Sequence, residues 1–392
     1  MPRSSRGLVC YLNQNSMKFT TSISDLLPYL QLCSLVSNKK SSIPITNDIF
    51  FEVDETGMIT VKATDLVTTV TCNLQALEYQ ELIGFNFLLP GKIVADLMKL
   101  LPLSPITFEM DEESLKVTIT TMLGEYQFVS ADPAEYPSEV EIDQLMTTID
   151  SHTLVYGLRT AATSASDDPI RPAMSGVNVL FRPYEVIFCG TDAHILTRIK
   201  YNQDIDLEGE QEMTIDKESI KVIDKAFASG FGDLDILSDE QYLMFATPTV
   251  QVLCLKIGDK YPAYQAVIPS HSPIRLNIDA NTLIGSLKRL AMFADNDNRV
   301  VMTISKNEIT MVAATLDERS AKEKLHHIVY EGPRLEVAIN SKYALKILEL
   351  YKDREICLDF TNSRQAIKVQ PQEQADTFEI FSIIMPMTLE ND

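Results

Sequence analysis

The sequence predicts an α+β protein built from three similar domains. Two predicted helices and one strand motif recur three times along the 392 residues at nearly constant spacing. This length exceeds the roughly 100–200 residues of a usual domain. With 45% hydrophobic and 23% charged residues, the composition is typical of a globular protein and excludes wholesale disorder. The sequence contains no run of about 18 apolar residues, so we predict no transmembrane helix.

The first helix of each third begins after a residue type that caps helices well. Ser22, Asp150 and Asp279 each precede an apolar-periodic stretch, and they are 128 and 129 residues apart. Ser and Asp side chains accept hydrogen bonds from the free N–H groups of a first helical turn. The equal spacing predicts one such helix in each domain.

A second helix recurs in each third, with its starting lysines 125 residues apart. We predict helices over Lys92–Lys99, Lys217–Lys225 and Lys342–Lys352, because apolar residues recur there at helical spacing. The segments between the helices are rich in Val, Ile, Thr and Phe and predict strands. Each third therefore reads as strand, helix, three strands, helix and further strands.

A strand motif supports the repeat and helps to divide the chain. Val61–Asp65 has a counterpart in Phe188–Asp192 and a fainter one in Met311–Ala314. Polar or proline-containing stretches follow the first and second thirds. We predict an extension over 1–16, expected to be disordered, and domains over 17–143, 144–269 and 270–392.

The positive charge is concentrated in the predicted helices. The net charge is −21, which taken alone argues against binding to nucleic acid. However, the six helical windows hold 14 Lys and Arg against 9 Asp and Glu, whereas the rest of the chain holds 20 against 46. Helix propensity is one explanation of this contrast. The other is a basic helical face that binds phosphates without sequence preference.

The sequence lacks the common enzyme motifs. We find no GxxxxGK[ST] loop, no GxGxxG after a strand, no GxSxG and no HExxH. The six cysteines form no CxxC pair and the histidines show no metal spacing, so we predict no metal or cofactor and a reducing, cytoplasmic environment. Asp192 and His194 suggest a general base and its orienter, but a turn in which Asp192 accepts backbone N–H groups is the favoured interpretation.

Several short motifs, in order, carry a resemblance to a known family. They are Met17–Thr20, Ala134–Pro137, Thr191–Leu196, Tyr261–Tyr264 and Ile384–Leu389. Their order over about 370 residues resembles the bacterial DNA polymerase III beta subunit, the replicative sliding clamp. The chain departs from the family pattern at Ala193 (usually Gly), Ile195 (often Arg) and Thr388 (the last Arg).

The resemblance implies a non-enzymatic function. Two chains would close head-to-tail into a ring, with helices lining the hole and sheets outside. The ring would encircle duplex DNA and tether the replicative polymerase, which raises the local concentration of the polymerase at the primer end. The polymerase and the clamp loader would bind through short linear peptides. The alternative is an acidic repeat scaffold that binds only proteins.

The resemblance also implies three sets of functional residues. The partner-peptide groove would comprise Met174, Thr191, Ala193, His194, Ile195, Leu196, Pro262, Ala266, Val267, Ala366, Ile383, Met385, Pro386 and Met387. The DNA-facing cations would be Lys40, Lys92, Lys99, Arg159, Arg171, Lys217, Lys221, Lys342 and Lys346. The dimer interface would join Tyr126 and Phe128 of one chain to Met292 and Phe293 of the other.

Plainer structural interpretations exist for two of these sets. Tyr126 and Phe128 alternate as core residues of a sheet do. The closing run Ile383–Met387 would be ordinary core packing of a last strand, or it would dock as a strand edge with Met385 and Met387 on one face.

Ile195 in place of Arg would make the groove wall more apolar.

Overall fold

The computed structural model describes residues 16–37, 43–79, 84–230, 232–315 and 319–389. These residues form two compact units. The first contains the chain up to Ile142 together with Met244–Leu253. The second contains Asp143–Leu243 and the chain from Cys254 onward. The predicted boundaries at 143 and 269 stay predictions.

The order of strands and helices recurs in each third of the chain. The first third contains β1 Ser16–Ser22, α1 Ile23–Ser37, β2 Asp48–Val53, β3 Met58–Thr64, β4 Thr68–Gln75, β5 Glu78–Tyr79, β6 Phe85–Pro90, α2 Gly91–Leu100, β7 Pro105–Asp111, β8 Lys116–Thr121 and β9 Gly124–Val129. The second contains β10 Leu145–Asp150, α3 Ser151–Ala162, β11 Gly176–Arg182, β12 Glu185–Thr191, β13 Ile195–Asn202, β14 Gln211–Asp216, α4 Lys217–Phe227, β15 Asp233–Ser238, β16 Tyr242–Ala246 and β17 Val250–Leu255. The third contains β18 Ile274–Asp279, α5 Ala280–Leu290, β19 Arg299–Ile304, β20 Ile309–Ala314, β21 Ser320–Leu325, β22 Val329–Glu331, β23 Leu335–Asn340, α6 Ser341–Leu348, β24 Glu355–Phe360, β25 Ile367–Pro371 and β26 Phe378–Ile384.

The predicted helix starts are confirmed. The hydroxyl of Ser22 accepts a hydrogen bond from the N–H of Ser24 at 3.1 Å. The carboxylates of Asp150 and Asp279 each accept one from the N–H three residues later at 2.8 Å. The last predicted helix differs, because α6 ends at Leu348 and a single 3-10 turn continues the chain.

One turn has the same hydrogen bonds in the first and second thirds. The carboxylates of Asp65 and Asp192 each accept bonds from the N–H groups two and three residues later. The residues after them, Leu66 and Ala193, have φ angles of 73° and 75°. The hydroxyls of Thr64 and Thr191 accept bonds from the N–H groups of those two residues. The strand motif that indicated a repeat therefore encodes a shared turn.

In the first unit, four phenylalanine rings fill the centre of the core. The rings of Phe19 and Phe108 stack at 4.8 Å between centroids, and those of Phe51 and Phe87 stack at 5.0 Å. All four side chains are buried. One sheet has the order β5-β1-β7-β8-β9, so β9 lies at its edge. In the other sheet, β6, β2, β3 and β4 are consecutive neighbours.

The second unit contains a nine-stranded sheet that joins strands of the second and third thirds. Its order is β14-β11-β12-β13-β26-β25-β24-β18-β22. Strand β26 pairs with β13 on one side and with β25 on the other. The prediction that the closing segment docks as a strand edge is therefore wrong for β26, which is an interior strand. A separate four-stranded sheet has the order β21-β20-β19-β23.

Helices cover one face of the nine-stranded sheet. A Cβ atom at Gly190 of β12 would lie 2.0 Å from the carbonyl oxygen of Ala161 in α3, so only glycine permits this approach. On the same face the hydroxyl of Thr197 bonds to Ser164 at 2.7 Å and to Ser382 at 3.0 Å. Tyr351 extends the chain of hydroxyls, at 2.9 Å from Ser382. We call this side the helix-covered face and the other side the outer face.

Candidate functional site

The turn between β12 and β13 forms the rim of the candidate groove. Asp192 accepts bonds from the N–H groups of His194 and Ile195 at 2.8 Å each. The hydroxyl of Thr191 donates to the carbonyl of Ile195 at 2.7 Å and accepts from Ala193. This arrangement confirms the predicted turn role of Asp192. The turn holds Ala193 and His194 exposed beside the outer face.

An apolar cluster on the outer face forms the floor of the groove. It contains Cys189, Leu196, Tyr261, Tyr264, Ala366, Phe381 and Ile383, with Ile268 and Met385 packed against it. Four of the predicted groove residues therefore come together: Leu196, Ala366, Ile383 and Met385. Leu196 and Ile383 lie directly opposite each other on neighbouring strands, so their side chains share a face.

Sequence reasoning missed the aromatic members of this floor. Tyr261 and Tyr264 belong to one of the short motifs that carry the family resemblance, but only the neighbouring Pro262 was included in the predicted groove. The hydroxyl of Tyr261 donates to the carbonyl of Cys189 at 3.0 Å. Burial raises the pKa of the Tyr261 hydroxyl and of the Cys189 thiol, so both stay protonated and neutral at physiological pH.

The chain after β26 closes one end of the floor. The N–H of Met385 donates to the carbonyl of His194 at 2.9 Å, and the N–H of Met387 donates to the carbonyl of Ala338 at 2.8 Å. Met385, Pro386 and Met387 are all half-buried. Backbone bonds thus fix this segment while its flexible thioether side chains stay partly accessible, as an adaptable binding surface requires.

Other predicted groove residues lie on short turns outside the apolar cluster. Pro262, Ala266 and Val267 are exposed, in or beside the 3-10 turn Tyr264–Val267. Met174 is half-buried at the end of another 3-10 turn. These residues are not members of the apolar cluster, because the short turns that carry them leave their side chains exposed or half-buried.

Ile195 does not belong to the groove wall. It is 1% exposed and pairs with Ile384, one residue out of phase with Leu196. Because side chains alternate along a strand, it points to the helix-covered face with Thr197. The expectation that Ile195 makes the groove wall more apolar is therefore wrong.

Two cations lie along the floor. The guanidinium carbon of Arg198 is 5.7 Å from the ring centroid of Phe381, and the Lys368 ammonium is 5.0 Å from the same centroid. Burial raises the pKa of Tyr264, and the positive charge of Arg198 opposes part of that rise. Arg198 therefore contacts the aromatic floor without belonging to its apolar cluster.

Several predicted DNA-facing residues surround one cavity of about 370 Å³ in the second unit. Arg171, Lys342 and Lys346 line it together with Asp192 and His194. Burial, and next the positive charge of Lys217, lower the pKa of Lys346. Cations from the second and third repeats therefore converge next to the groove's turn.

The remaining predicted cations are distributed over the helices. Lys217 pairs with Asp167 at 2.6 Å and Lys221 with Glu218 at 2.5 Å. Lys99 pairs with Asp96 at 3.0 Å, Arg159 pairs with Asp224 at 3.6 Å, and Lys92 is exposed on α2. Exposed pairs of this kind are weak, so the cations stay available to an external phosphate. Lys40 lies outside the described residues.

The predicted interface residues occupy an edge strand and a turn. Tyr126 and Phe128 lie half-buried on β9, opposite Ile119 and Val117 of the core. Met292 and Phe293 follow α5 in a 3-10 turn and are 77% and 37% exposed. Exposed Met and Phe side chains of this size favour contact with another protein surface.

Two negative results apply to the described residues. No helix among them is long and apolar enough to cross a membrane. No group of three or more His, Cys, Asp or Glu side chains in the described ranges could hold a metal ion.

Comparison with protein families points to a single family. The model described as "DNA polymerase III beta subunit, N-terminal domain" matches residues 17–140. The model described as "DNA polymerase III beta subunit, C-terminal domain" matches residues 265–388. The two matches together cover more than half of the chain. The chain belongs to the DNA polymerase III beta subunit family.

Curated relatives and solved structures agree with this family. The beta sliding clamp of Staphylococcus epidermidis is 22% identical over 360 residues, which are 89% of this chain and 93% of the relative. The Micrococcus luteus beta sliding clamp is 23% identical over 313 residues, 79% of this chain and 98% of the relative. The beta subunit structures of Thermotoga maritima and Pseudomonas aeruginosa are 21% and 17% identical, each with a TM-score of 0.88, covering 95% of this chain and all of theirs. The predicted α+β fold of three similar domains is confirmed.

Proposed function

We propose that this protein is the sliding clamp of a bacterial DNA polymerase III, which encircles duplex DNA and holds the polymerase on it. The observation that carries the proposal is the difference between the two faces of the nine-stranded sheet. Its outer face bears an apolar floor with an exposed rim, and its helix-covered face bears α6 with Lys342 and Lys346. Family membership supports the same function.

The partner site is the groove on the outer face. Its floor offers aromatic and aliphatic surface beside an exposed turn, which suits the side chains of a short linear peptide. We propose that the polymerase and the clamp loader compete for this groove. The half-buried Met385 and Met387 would repack around the different peptides.

The DNA contact uses the helix cations. Lysine gives a mobile point charge without a fixed geometry, so contact with phosphates is loose and independent of base sequence. The cations around the cavity at Lys342 and Lys346 are one such group, since they come together there from two repeats. Loose contacts allow a ring to slide.

The ring is proposed to be a head-to-tail homodimer. Tyr126 and Phe128 on the edge strand β9 of one chain would pack on Met292 and Phe293 of the other. An edge strand with unpaired N–H and C=O groups needs cover, and a second chain would supply it. The five cysteines among the described residues are all buried and form no disulfide, which supports a reducing cytoplasm as the location.

Retention on circular DNA tests the proposal. After loading onto a nicked circle, the protein should stay bound at high salt and dissociate when the circle is linearised, because a ring leaves only at an end. A peptide from the polymerase should bind the same protein without DNA. Equal retention on linear and circular DNA, or peptide binding without any DNA association, would favour a protein-only scaffold.

The proposed function involves no catalysis. The Asp192 carboxylate is already bound to two backbone N–H groups, so it is not placed to act as a base for His194. A test for nuclease and nucleotidase activity with the purified protein should find none above background.

A further inference from the structure

One side of the strand β10 is open. Among the described residues, β10 pairs only with β15, so it lies at the end of its sheet. The corresponding strands of the first and third repeats are β1 and β18, since each precedes the first helix of its repeat. Both have a neighbour on each side: β1 lies between β5 and β7, and β18 lies between β22 and β24. The second repeat therefore lacks one strand that the other two repeats contain.

The additional strand has the same position in the two repeats that contain it. Tyr79 of β5 lies opposite Phe19 of β1. Tyr330 of β22 lies opposite Leu276 of β18. Phe19 and Leu276 each precede the capping residue of the next helix by three positions, and the residue at that place in β10 is Thr147. The other repeats thus predict a strand opposite Thr147 with a tyrosine at its centre.

The second repeat's own chain does not fill this position. The additional strand precedes β6 in the first repeat and β23 in the third, but residues 203–210, which precede β14 in the second, form no strand. The N–H of Gln203 donates to the carbonyl of Tyr184 at 3.2 Å, and that of Ile205 donates to the carbonyl of Pro183 at 2.8 Å. Ile205 is also buried, so the turn between β11 and β12 holds the segment. A cavity of about 870 Å³ remains, lined by this segment and by β10.

The β10 side of the cavity offers backbone and apolar groups. The side chain of Leu145 is 57% exposed. Thr147 is 3% exposed, and its hydroxyl has no hydrogen-bond partner in the described part of the chain. The open edge also presents backbone N–H and C=O groups to which no strand of the described ranges is paired. A strand added from outside would bind these backbone groups and cover Leu145.

The rest of the cavity wall is acidic. The exposed carboxylates that line it are Asp206, Glu208, Asp239 and Glu240. Lys256 is the one cation among the described lining residues, and its ammonium already donates to the hydroxyl of Ser238 at 2.7 Å and to the carbonyl of Asp239 at 2.6 Å. Charges beside an open edge repel strands of the same sign. A second copy of this chain, with its net charge of −21, is therefore disfavoured here, whereas a basic segment is favoured.

We propose that the open side of β10 binds an extended segment of a partner protein, which adds as a strand and carries Lys or Arg beside a central Tyr. Backbone hydrogen bonds would supply the affinity, and the acidic wall would select the basic side chains. The site is distinct from the groove, because none of the described residues that line the cavity belongs to the apolar cluster of the groove floor.

A synthetic peptide tests the inference on the full-length protein. The sequence Thr-Val-Lys-Tyr-Lys-Val-Thr places Tyr and Val on one face of a strand and Lys on the other. It should bind in fluorescence anisotropy and protect the amides of residues 145–148 from hydrogen exchange. A matched peptide with Glu in place of both Lys should bind at least about tenfold more weakly.

Methylation of the peptide's backbone nitrogens tests the strand geometry. In an added antiparallel strand, only alternate residues direct their N–H groups to the edge. Methylation at one set of alternate positions should therefore abolish binding, and methylation at the other set should preserve it.

Two variants of the protein test the acidic wall. Glu208→Gln combined with Glu240→Gln should weaken binding of the Lys peptide by about three- to tenfold, because each removes one exposed charge. Glu112→Gln combined with Glu113→Gln, at exposed residues between β7 and β8, is the matched control and should leave the affinity unchanged. Unchanged binding of a polymerase-derived peptide shows that each variant is folded.

Four results would overturn the inference. The first is equal binding of the Lys and Glu peptides, or binding of neither. The second is an equal effect of methylation at every position. The third is displacement of the Lys peptide by a polymerase-derived peptide, which would place it in the groove. The fourth is protection of residues 145–148 that rises with protein concentration in the absence of peptide, which would show that a second copy covers the edge.

Discussion

The imidazole of His194 stacks on the phenol ring of Tyr343, with centroids 5.3 Å apart and planes 14° from parallel. His194 belongs to the turn at the groove's rim, and Tyr343 belongs to α6, which carries Lys342 and Lys346. The stack therefore links the candidate peptide site to the candidate DNA surface. It also fixes the orientation of an otherwise exposed histidine.

Loss of this stack should weaken peptide binding without unfolding the protein. Tyr343→Ala leaves His194 without a ring partner, and an aromatic pair contributes about 0.5–1.5 kcal/mol, so peptide affinity should fall by about three- to tenfold. Tyr343→Phe keeps the ring and should bind as the wild type does. Calorimetric titration of a polymerase-derived peptide measures both. Equal affinities for the Ala and Phe variants would show that the stack does not shape the groove.

The buried chain of hydroxyls should stabilise the second unit. Tyr351→Phe removes the phenolic hydroxyl that lies 2.9 Å from Ser382 and 3.3 Å from the carbonyl of Val369. We expect a loss of about 1–2 kcal/mol in the free energy of unfolding, measured by urea denaturation. Tyr184→Phe, at a tyrosine that is 75% exposed, is the control and should change little. A loss no larger than in this control would contradict the prediction.

Acid should weaken one contact between α5 and β21. The Arg289 guanidinium donates hydrogen bonds of 2.7 and 2.8 Å to the Glu323 carboxylate and lowers the pKa of Glu323 below its ordinary value of 4.5. The Ser286 hydroxyl donates a further bond to the same carboxylate. Because folding lowers this pKa, the contribution is fully present above about pH 4.5 and is lost as the pH falls through the folded value. Glu323→Gln should flatten the decrease in stability below that pH. An equal decrease in the stability of the wild type and of Glu323→Gln would show that other carboxylates cause the acid destabilisation.

The dimer should depend on the exposed turn after α5. Met292→Ala combined with Phe293→Ala removes apolar area from the proposed interface, and we expect folded monomers at micromolar concentration in sedimentation velocity. Leu145→Ala combined with Ile170→Ala removes exposed apolar side chains elsewhere and should leave the dimer intact. A dimer that survives the first double change would place the interface on another surface.

The salt dependence of DNA binding should report on α6. Lys342→Gln combined with Lys346→Gln should lower the slope of log affinity against log salt by up to about two units, because each lysine that binds a phosphate accounts for about one unit. Lys324→Gln is the matched control. Lys324 lies on β21 and pairs with Glu308. The affinities are measured by fluorescence anisotropy with a short duplex. A slope equal to that of the control would exclude these two lysines from the DNA interface.

Sequence alone predicted the elements whose cause is local. The helix starts at Asp150 and Asp279 and the turn at Asp192 depend on a side chain that bonds to backbone groups two or three residues away. Such bonds form wherever the short pattern occurs, so residue types at fixed spacing were enough. The constant spacing of these patterns was also enough to predict three similar domains.

The tertiary structure decided which side chains share the groove. Thr197 and Ser382 are 185 residues apart in the chain, yet they bond across the β13–β26 pair. That register places Leu196 and Ile383 on the outer face and turns Ile195 toward the helices. Local sequence patterns do not determine a pairing over this distance, because it follows from the packing of two whole domains. The same register brings Arg198 and Lys368 to one ring, a juxtaposition that no sequence motif indicated.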